Sequence, residues 1–191
     1  MDTEKTTWQL VDGILAAAEQ LASPNCNARP PDCDVRLIVI HNISLPPGCF
    51  GGPHIAQLFT NCLEPSAHPY FAEISNLQVS AHFLIRRDGV IQQFVPTGER
   101  AWHAGESVWR GRSNCNDFSI GIELEGTDDE IYSDPQYTHL AKLVRLLRET
   151  YTTIEPDAIV GHSDIAPGRK TDPGPSFDWA RLKREAYLNG D

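Results

Sequence analysis

Val35-Arg36-Leu37-Ile38-Val39-Ile40 runs directly into His41-Asn42. The run is short, nearly all apolar and rich in β-branched side chains. It lacks the alternation of a strand with one wet face. That is the pattern of a strand buried on both sides, as in a sheet covered by helices. Working outward, Phe118 to Leu124 and Ala158-Ile159-Val160 read as further strands, and the second leads to His162. Ser80 to Arg86 and Val90 to Val95 flank Arg87-Asp88-Gly89, and Asp-Gly between two such runs predicts a hairpin. Ser133-Asp134-Pro135-Gln136 reads as a helix start, with a capping serine, proline in the first turn and glutamine at the third position. Tyr137, Leu140, Leu143, Val144, Leu147 and Tyr151 then recur at helical spacing. A short helix is expected near His54 to Thr60, and a last one, capped by Ser176, through Trp179, Leu182 and Ala186. Strands alternate with helices except at the hairpin, which predicts an α/β fold with a mixed central sheet.

Two segments read less regularly. Apolar residues at Trp8, Val11, Ile14, Leu15 and Leu21 fit a helical stripe, although Gly13 interrupts it. Asn61 to Asn76 carries Pro65 and Pro69 and reads as an irregular loop. The expected organisation is a segment 1–22 of open structure followed by one domain over 23–191.

The chain has 191 residues and a formal charge of −10. That balance argues against nucleic acid, which needs a basic footprint, and against anionic membrane surfaces. The N-terminus lacks a basic stretch followed by an apolar one, so no secretory signal is expected. Five cysteines, an odd number without Cys-x-x-Cys pairs, suggest reduced thiols in a cytoplasmic protein.

His41 and His162 each follow an apolar strand, and the ends of buried strands are where α/β sheets build ligand sites. The proline-stiffened stretch Gly161 to Pro175 adds Asp164, Arg169, Lys170 and Asp172. A catalytic zinc takes three protein ligands and keeps one open position. His41, His162 and an aspartate from this loop would provide such a set. Glu123 and Glu125 share one face of their strand by its period of 2, and one of them could act as a general base.

Five blocks resemble the N-acetylmuramoyl-L-alanine amidase family, and within it the cytosolic AmpD type. They are Ile38 to Gly48, Ser80 to Ile85, Arg100 to Gly105, Asn116 to Gly126 and Gly161 to Pro175, all in order. The resemblance implies a peptidoglycan-recognition-protein-like fold, a central mixed β-sheet flanked by helices. It implies one zinc held by His41, His162 and Asp172. Glu123 would be the catalytic acid/base and Lys170 the group that stabilises the oxyanion. Related amidases often carry cysteine where Asp172 stands, so Asp172 favours the AmpD type. The implied substrate is a 1,6-anhydro-N-acetylmuramyl peptide, cut at the lactyl–L-alanine amide by a monomer during cell-wall recycling, with an indirect effect on β-lactamase induction. Asn42, Trp102 and Arg112 are the candidate substrate contacts. Family members carry arginine where Gln78 and Asn114 stand, so the peptide-binding details differ here. A non-catalytic muropeptide sensor would lack a metal ligand, and a zinc endopeptidase would show His-Glu-x-x-His, which is absent.

Overall fold

The computed structural model describes residues 8–187. Two short strands, β1 (Leu10–Val11) and β2 (Ile14–Leu15), open the chain as a small antiparallel ladder. Next come β3 (Glu19–Gln20), β4 (Cys26–Ala28) and the long β5 (Leu37–Ile43). Helices α1 (His54–Phe59) and α2 (Pro69–Ile74) precede the hairpin of β6 (Phe83–Ile85) and β7 (Ile91–Gln93). After β8 (Glu99–Ala101), β9 (Val108–Trp109) and β10 (Arg112–Ser113) comes the second long strand, β11 (Ser119–Glu125). The chain then runs through α3 (Asp134–Thr150), β12 (Ile159–Gly161), α4 (His162–Ile165) and α5 (Trp179–Tyr187).

Six strands form the central sheet in the order β12-β5-β11-β6-β7-β3. The pairs β12–β5, β5–β11, β11–β6 and β7–β3 are parallel, and the β6–β7 hairpin is antiparallel. The expected mixed sheet is therefore present, with the hairpin as its irregular member. Along β11, Ile120, Ile122 and Leu124 join the same core as Leu140, Leu143, Val144 and Leu147 of α3. On the other face a smaller core gathers Leu58, Phe59, Phe71, Leu84 and Phe94. Helix α3 begins as its sequence predicts: Ser133 Oγ accepts from Gln136 N, and Gln136 Oε1 accepts from Ser133 N.

Three readings need correction. Trp8 to Leu21 is not a helix. Asp12 and Gly13 both adopt positive φ, 51° and 79°, and turn β1 back on β2. Beyond them Leu15 N donates to Gln93 Oε1, and β3 becomes the edge strand of the central sheet. Asn61 to Asn76 is not wholly irregular. Pro69 occupies the first turn of α2 and the His68 ring accepts from Tyr70 N, so that Phe71 is buried. Ser176 does not cap the last helix. Its hydroxyl donates to Glu130 O, while Asp178 Oδ1 accepts from Arg181 N at the start of α5.

His82 is fully buried just before β6. Its Nδ1 accepts from Gly121 N at 3.0 Å, so its proton lies on Nε2 and goes to Glu99 O at 3.1 Å. Arg29 Nη2 stands 3.2 Å from the same Nε2, which makes that approach a contact between donors. The Arg29 guanidinium is instead bonded to the carbonyls of Thr97, Asn116, Asp117 and Ser119. Burial, with the charge of Arg29, pulls His82 down to about 3. A folded-state value lowered in this way contributes stability above the unfolded value, about 6.5, that is lost as pH falls through the folded one. We expect the urea midpoint to fall between about pH 6.5 and about pH 3, and to fall less steeply in His82→Asn, which keeps an acceptor for Gly121 N. Equal slopes in the two proteins would refute this.

Candidate active site

Parallel pairing sets the site. In the β5–β11 register His41 stands opposite Glu123, and in the β12–β5 register Gly161 stands opposite Ile40. His162, the next residue, thus emerges beside His41 at the carboxyl ends of the strands. Helix α4 starts there, and the following loop turns back: Ser163 N donates to Asp172 O at 3.0 Å. Gly161 N is held by Asp164 Oδ2 at 2.7 Å.

The result is a compact triad. His41 Nδ1, His162 Nδ1 and Asp172 Oδ2 lie 3.0 Å from one another in all three pairs. Both imidazoles are buried. Burial is the largest influence on His41 and pulls it down to about 4, against the contact with Asp172. A neutral imidazole and an ionised carboxylate are the forms in which these side chains ligate metals. His162 Nε2 lies 3.1 Å from the Ala104 carbonyl, which only accepts, so His162 turns an unprotonated Nδ1 toward Asp172. Two acceptors facing each other at 3.0 Å call for a cation between them. Tetrahedral bonds of about 2.0 Å would set ligand atoms about 3.3 Å apart, close to the spacing present. The residues therefore fit a small divalent ion. Among the described residues, this is the group of side chains spaced to hold one.

Glu123 faces the triad. Its Oε2 is buried and has no hydrogen-bond partner. Burial drives its carboxyl well above the usual value, the Asp172 charge adds to the rise, and Lys170 opposes it. Glu125, on the same face, is saturated: Oε1 accepts from Gly51 N at 2.6 Å and Oε2 from Arg87 N at 3.1 Å.

The triad and Glu123 line a cleft of about 390 Å³. Part of its lining is polar, with His41, Asn42, Glu123, His162, Lys170 and Asp172. Part is apolar, built by Leu45, Leu58, Phe59, Tyr70, Ile74, Leu77 and Val79. Trp102 lines the cleft and donates from Nε1 to Asn27 Oδ1, while Asn42 donates to Asp128 Oδ1. Of the expected contacts, Arg112 is not brought here. Its guanidinium lies over the Phe118 ring in a separate recess, with Nη2 2.8 Å from Cys33 Sγ. Arg86, Arg87 and Arg110 also lie outside the cleft; Arg110 pairs with Glu155 and Asp157. The sequence reading missed the wall from α2, whose signal was Pro69 following a potential capping residue, and it gave no role to His103 and Ala104.

An unpartnered buried carboxylate beside a metal-fitting triad, in a cleft with one cation, is the equipment of a hydrolase that acts on a carbonyl compound. The profile of the N-acetylmuramoyl-L-alanine amidases matches residues 31–175, and the chain belongs to that family of enzymes. It is 58% identical over 174 residues to the 1,6-anhydro-N-acetylmuramyl-L-alanine amidase AmpD of Escherichia coli K12, covering 91% of this chain and 94% of that one. A crystal structure of a selenomethionine AmpD derivative superposes with a TM-score of 0.90 at 57% identity, over 92% of this chain and 98% of that one. The E. coli amidase AmiD, solved with anhydro-N-acetylmuramic acid-L-Ala-D-γ-Glu-L-Lys, is similar at a TM-score of 0.60 and 30% identity, over 82% of this chain and 60% of that one.

The two glutamates of β11 should separate cleanly. Glu125→Ala leaves two backbone donors without their acceptor and should cost about 1–3 kcal/mol of stability. Turnover per folded molecule should change little. A Glu125→Ala protein as stable as the parent would contradict the role assigned to this carboxylate.

Proposed function

We propose that this chain is a zinc-dependent amidase that hydrolyses the amide between the lactyl group of 1,6-anhydro-N-acetylmuramic acid and L-alanine. The reading rests on one observation above all: the His41–His162–Asp172 triad and Glu123 share a cleft in a chain 58% identical to AmpD. The relatives' names supply the anhydro-sugar and the L-alanyl bond.

His41 Nδ1, His162 Nδ1 and Asp172 Oδ2 would hold the zinc. When bound, zinc supplies Lewis-acid chemistry, polarising a carbonyl and acidifying water toward neutral pH. The chain's own residues do the rest. Glu123 Oε2 has no competing partner, so it is free to take the proton of the attacking water. Its raised affinity for that proton suits it to hold the proton and then deliver it to the departing alanine nitrogen. The Lys170 charge, which already acts on Glu123, would stabilise the negative charge that develops on the tetrahedral oxygen. Asn42 and Trp102 line the cleft and would contact the muropeptide there. The products are the anhydro-sugar and a peptide with a free L-alanine amine.

In this reading the enzyme works as a monomer in the cytoplasm on muropeptides released from the wall. By removing them it lowers the signal that induces β-lactamase. No helix of the described residues is long and apolar enough to cross a membrane.

Purified protein should contain one zinc per chain, and chelation should abolish cleavage of an anhydro-muramyl tripeptide followed by mass spectrometry. Undiminished cleavage after the metal is stripped would defeat the proposal. Glu123→Ala should retain the metal and lose about 10²–10⁴-fold in turnover. Lys170→Ala should lower kcat more than it raises KM, because its partner charge exists only as the reaction proceeds. A Lys170→Ala defect confined to KM would assign that side chain to ground-state binding instead.

A further inference from the structure

The imidazole of His103 lies between the triad and β11, and the hydrolytic reading makes no use of it. Its Nδ1 is 2.9 Å from His41 Nε2, and its Nε2 is 3.1 Å from Ser119 Oγ. Ser119 Oγ is in turn 2.6 Å from the Cys115 carbonyl. That final contact fixes the direction of every other one. A carbonyl oxygen only accepts, so the single hydroxyl proton of Ser119 goes to Cys115. Ser119 Oγ can then only accept from His103, which must carry its proton on Nε2. His103 Nδ1 is left with a lone pair, so the proton between the two rings belongs to His41 Nε2. His41 is thereby left with an unprotonated Nδ1, the atom 3.0 Å from both His162 Nδ1 and Asp172 Oδ2.

The surroundings are built to hold this ring. A Cβ on Gly121 would come within 2.6 Å of His103 Nδ1, so only glycine leaves room for the imidazole against β11. Asn116 Oδ1 accepts from both His103 N, at 3.1 Å, and Ala104 N, at 2.8 Å, which pins the two-residue segment. Its neighbour Ala104 serves the second histidine through its carbonyl. One short segment therefore determines the tautomer of both His41 and His162.

We propose that His103, seated by Gly121 and Ser119, is the positioning residue that locks His41 in its Nε2–H tautomer and so aims Nδ1 at a divalent cation. The tautomer chain stands on the hydrogen bonds alone; its effect on metal affinity rests on the zinc reading above. Partners of this kind typically carry about 10–100-fold in metal affinity.

Two measurements test it. Long-range proton–nitrogen NMR of the unmutated protein, with and without zinc, should show Nε2–H tautomers for both His41 and His103. An Nδ1–H tautomer at either residue would overturn the proposal without any variant needing to fold. Zinc competition with a chelator should then show His103→Leu weakened by about 10–100-fold. His103→Asn, whose side-chain oxygen replaces Nδ1 as acceptor, should recover most of that loss. Gly121→Ala should reproduce the His103→Leu loss. If His103→Leu binds zinc as tightly as the parent, or His103→Asn is as weak as His103→Leu, the ring only fills space. A parent protein that takes up no zinc would refute the proposed function, while the tautomer measurement would still decide this inference.

Discussion

The parallel register between β5 and β11 is the constraint on which the site depends. It puts His41 opposite Glu123, so a triad member and the unpartnered carboxylate start from adjacent backbones in the middle of a buried sheet. Side chains alternate along a strand, so a slip of one residue would turn Glu123 into the core under α3. Ile120, Ile122 and Leu124 pack against that helix and make such a slip costly, because it would exchange three apolar side chains for glycine and two carboxylates. The hydrophobic pattern of β11 therefore does more than hold the sheet together. By committing one face to α3, it fixes which face carries the chemistry.

The same strand shows how environment divides two identical side chains. Glu123 and Glu125 differ in position by one pleat. Glu125 receives two backbone donors, from Gly51 and Arg87, and its carboxylate is fully engaged. Glu123 has an oxygen without a partner and a neighbouring negative charge from Asp172. Their shared face was legible from the period of the strand. The period alone did not separate them, because the donors that occupy Glu125 come from loops far away in sequence; only the family resemblance pointed to Glu123. His41 and His162 were likewise legible as strand-end histidines, and Asp172 became a candidate only through the loop's composition and family resemblance. The contact between His41 and His103 had no local signal, since it depends on the space left by a glycine on another strand.

Each misread segment has a physical cause. At Trp8 to Leu21 the apolar spacing satisfied a helical template, but Asp12-Gly13 is the same dipeptide as the Asp88-Gly89 pair that was recognised as a turn, here with both residues at positive φ. The turn won because Leu15 and Gly13 find tertiary partners on Gln93 that no local rule contains. At α2, two prolines suggested a loop, yet proline in a first turn starts a helix when the preceding side chain can cap it. Arg112 was placed near the cleft because the loop leading to β11 carries it. The β9–β10 ladder instead turns it toward the outer surface.

The electrostatics of the cleft complete the picture. A muropeptide is acidic and so is the protein, at −10, so attraction at a distance does not deliver one to the other. Close contacts must hold the substrate, and the cleft is suited to that: α1 and α2 give it apolar side chains, and Trp102 and Asn42 line it too. Lys170 is the one cation among the residues that line it. Its neighbour Arg169 is already committed, donating to the carbonyls of Ala104 and Glu106. The site thus spends little positive charge on the resting substrate. That charge acts on Glu123, and in the proposed reaction it would discriminate between an amide carbonyl and the anion that forms from it.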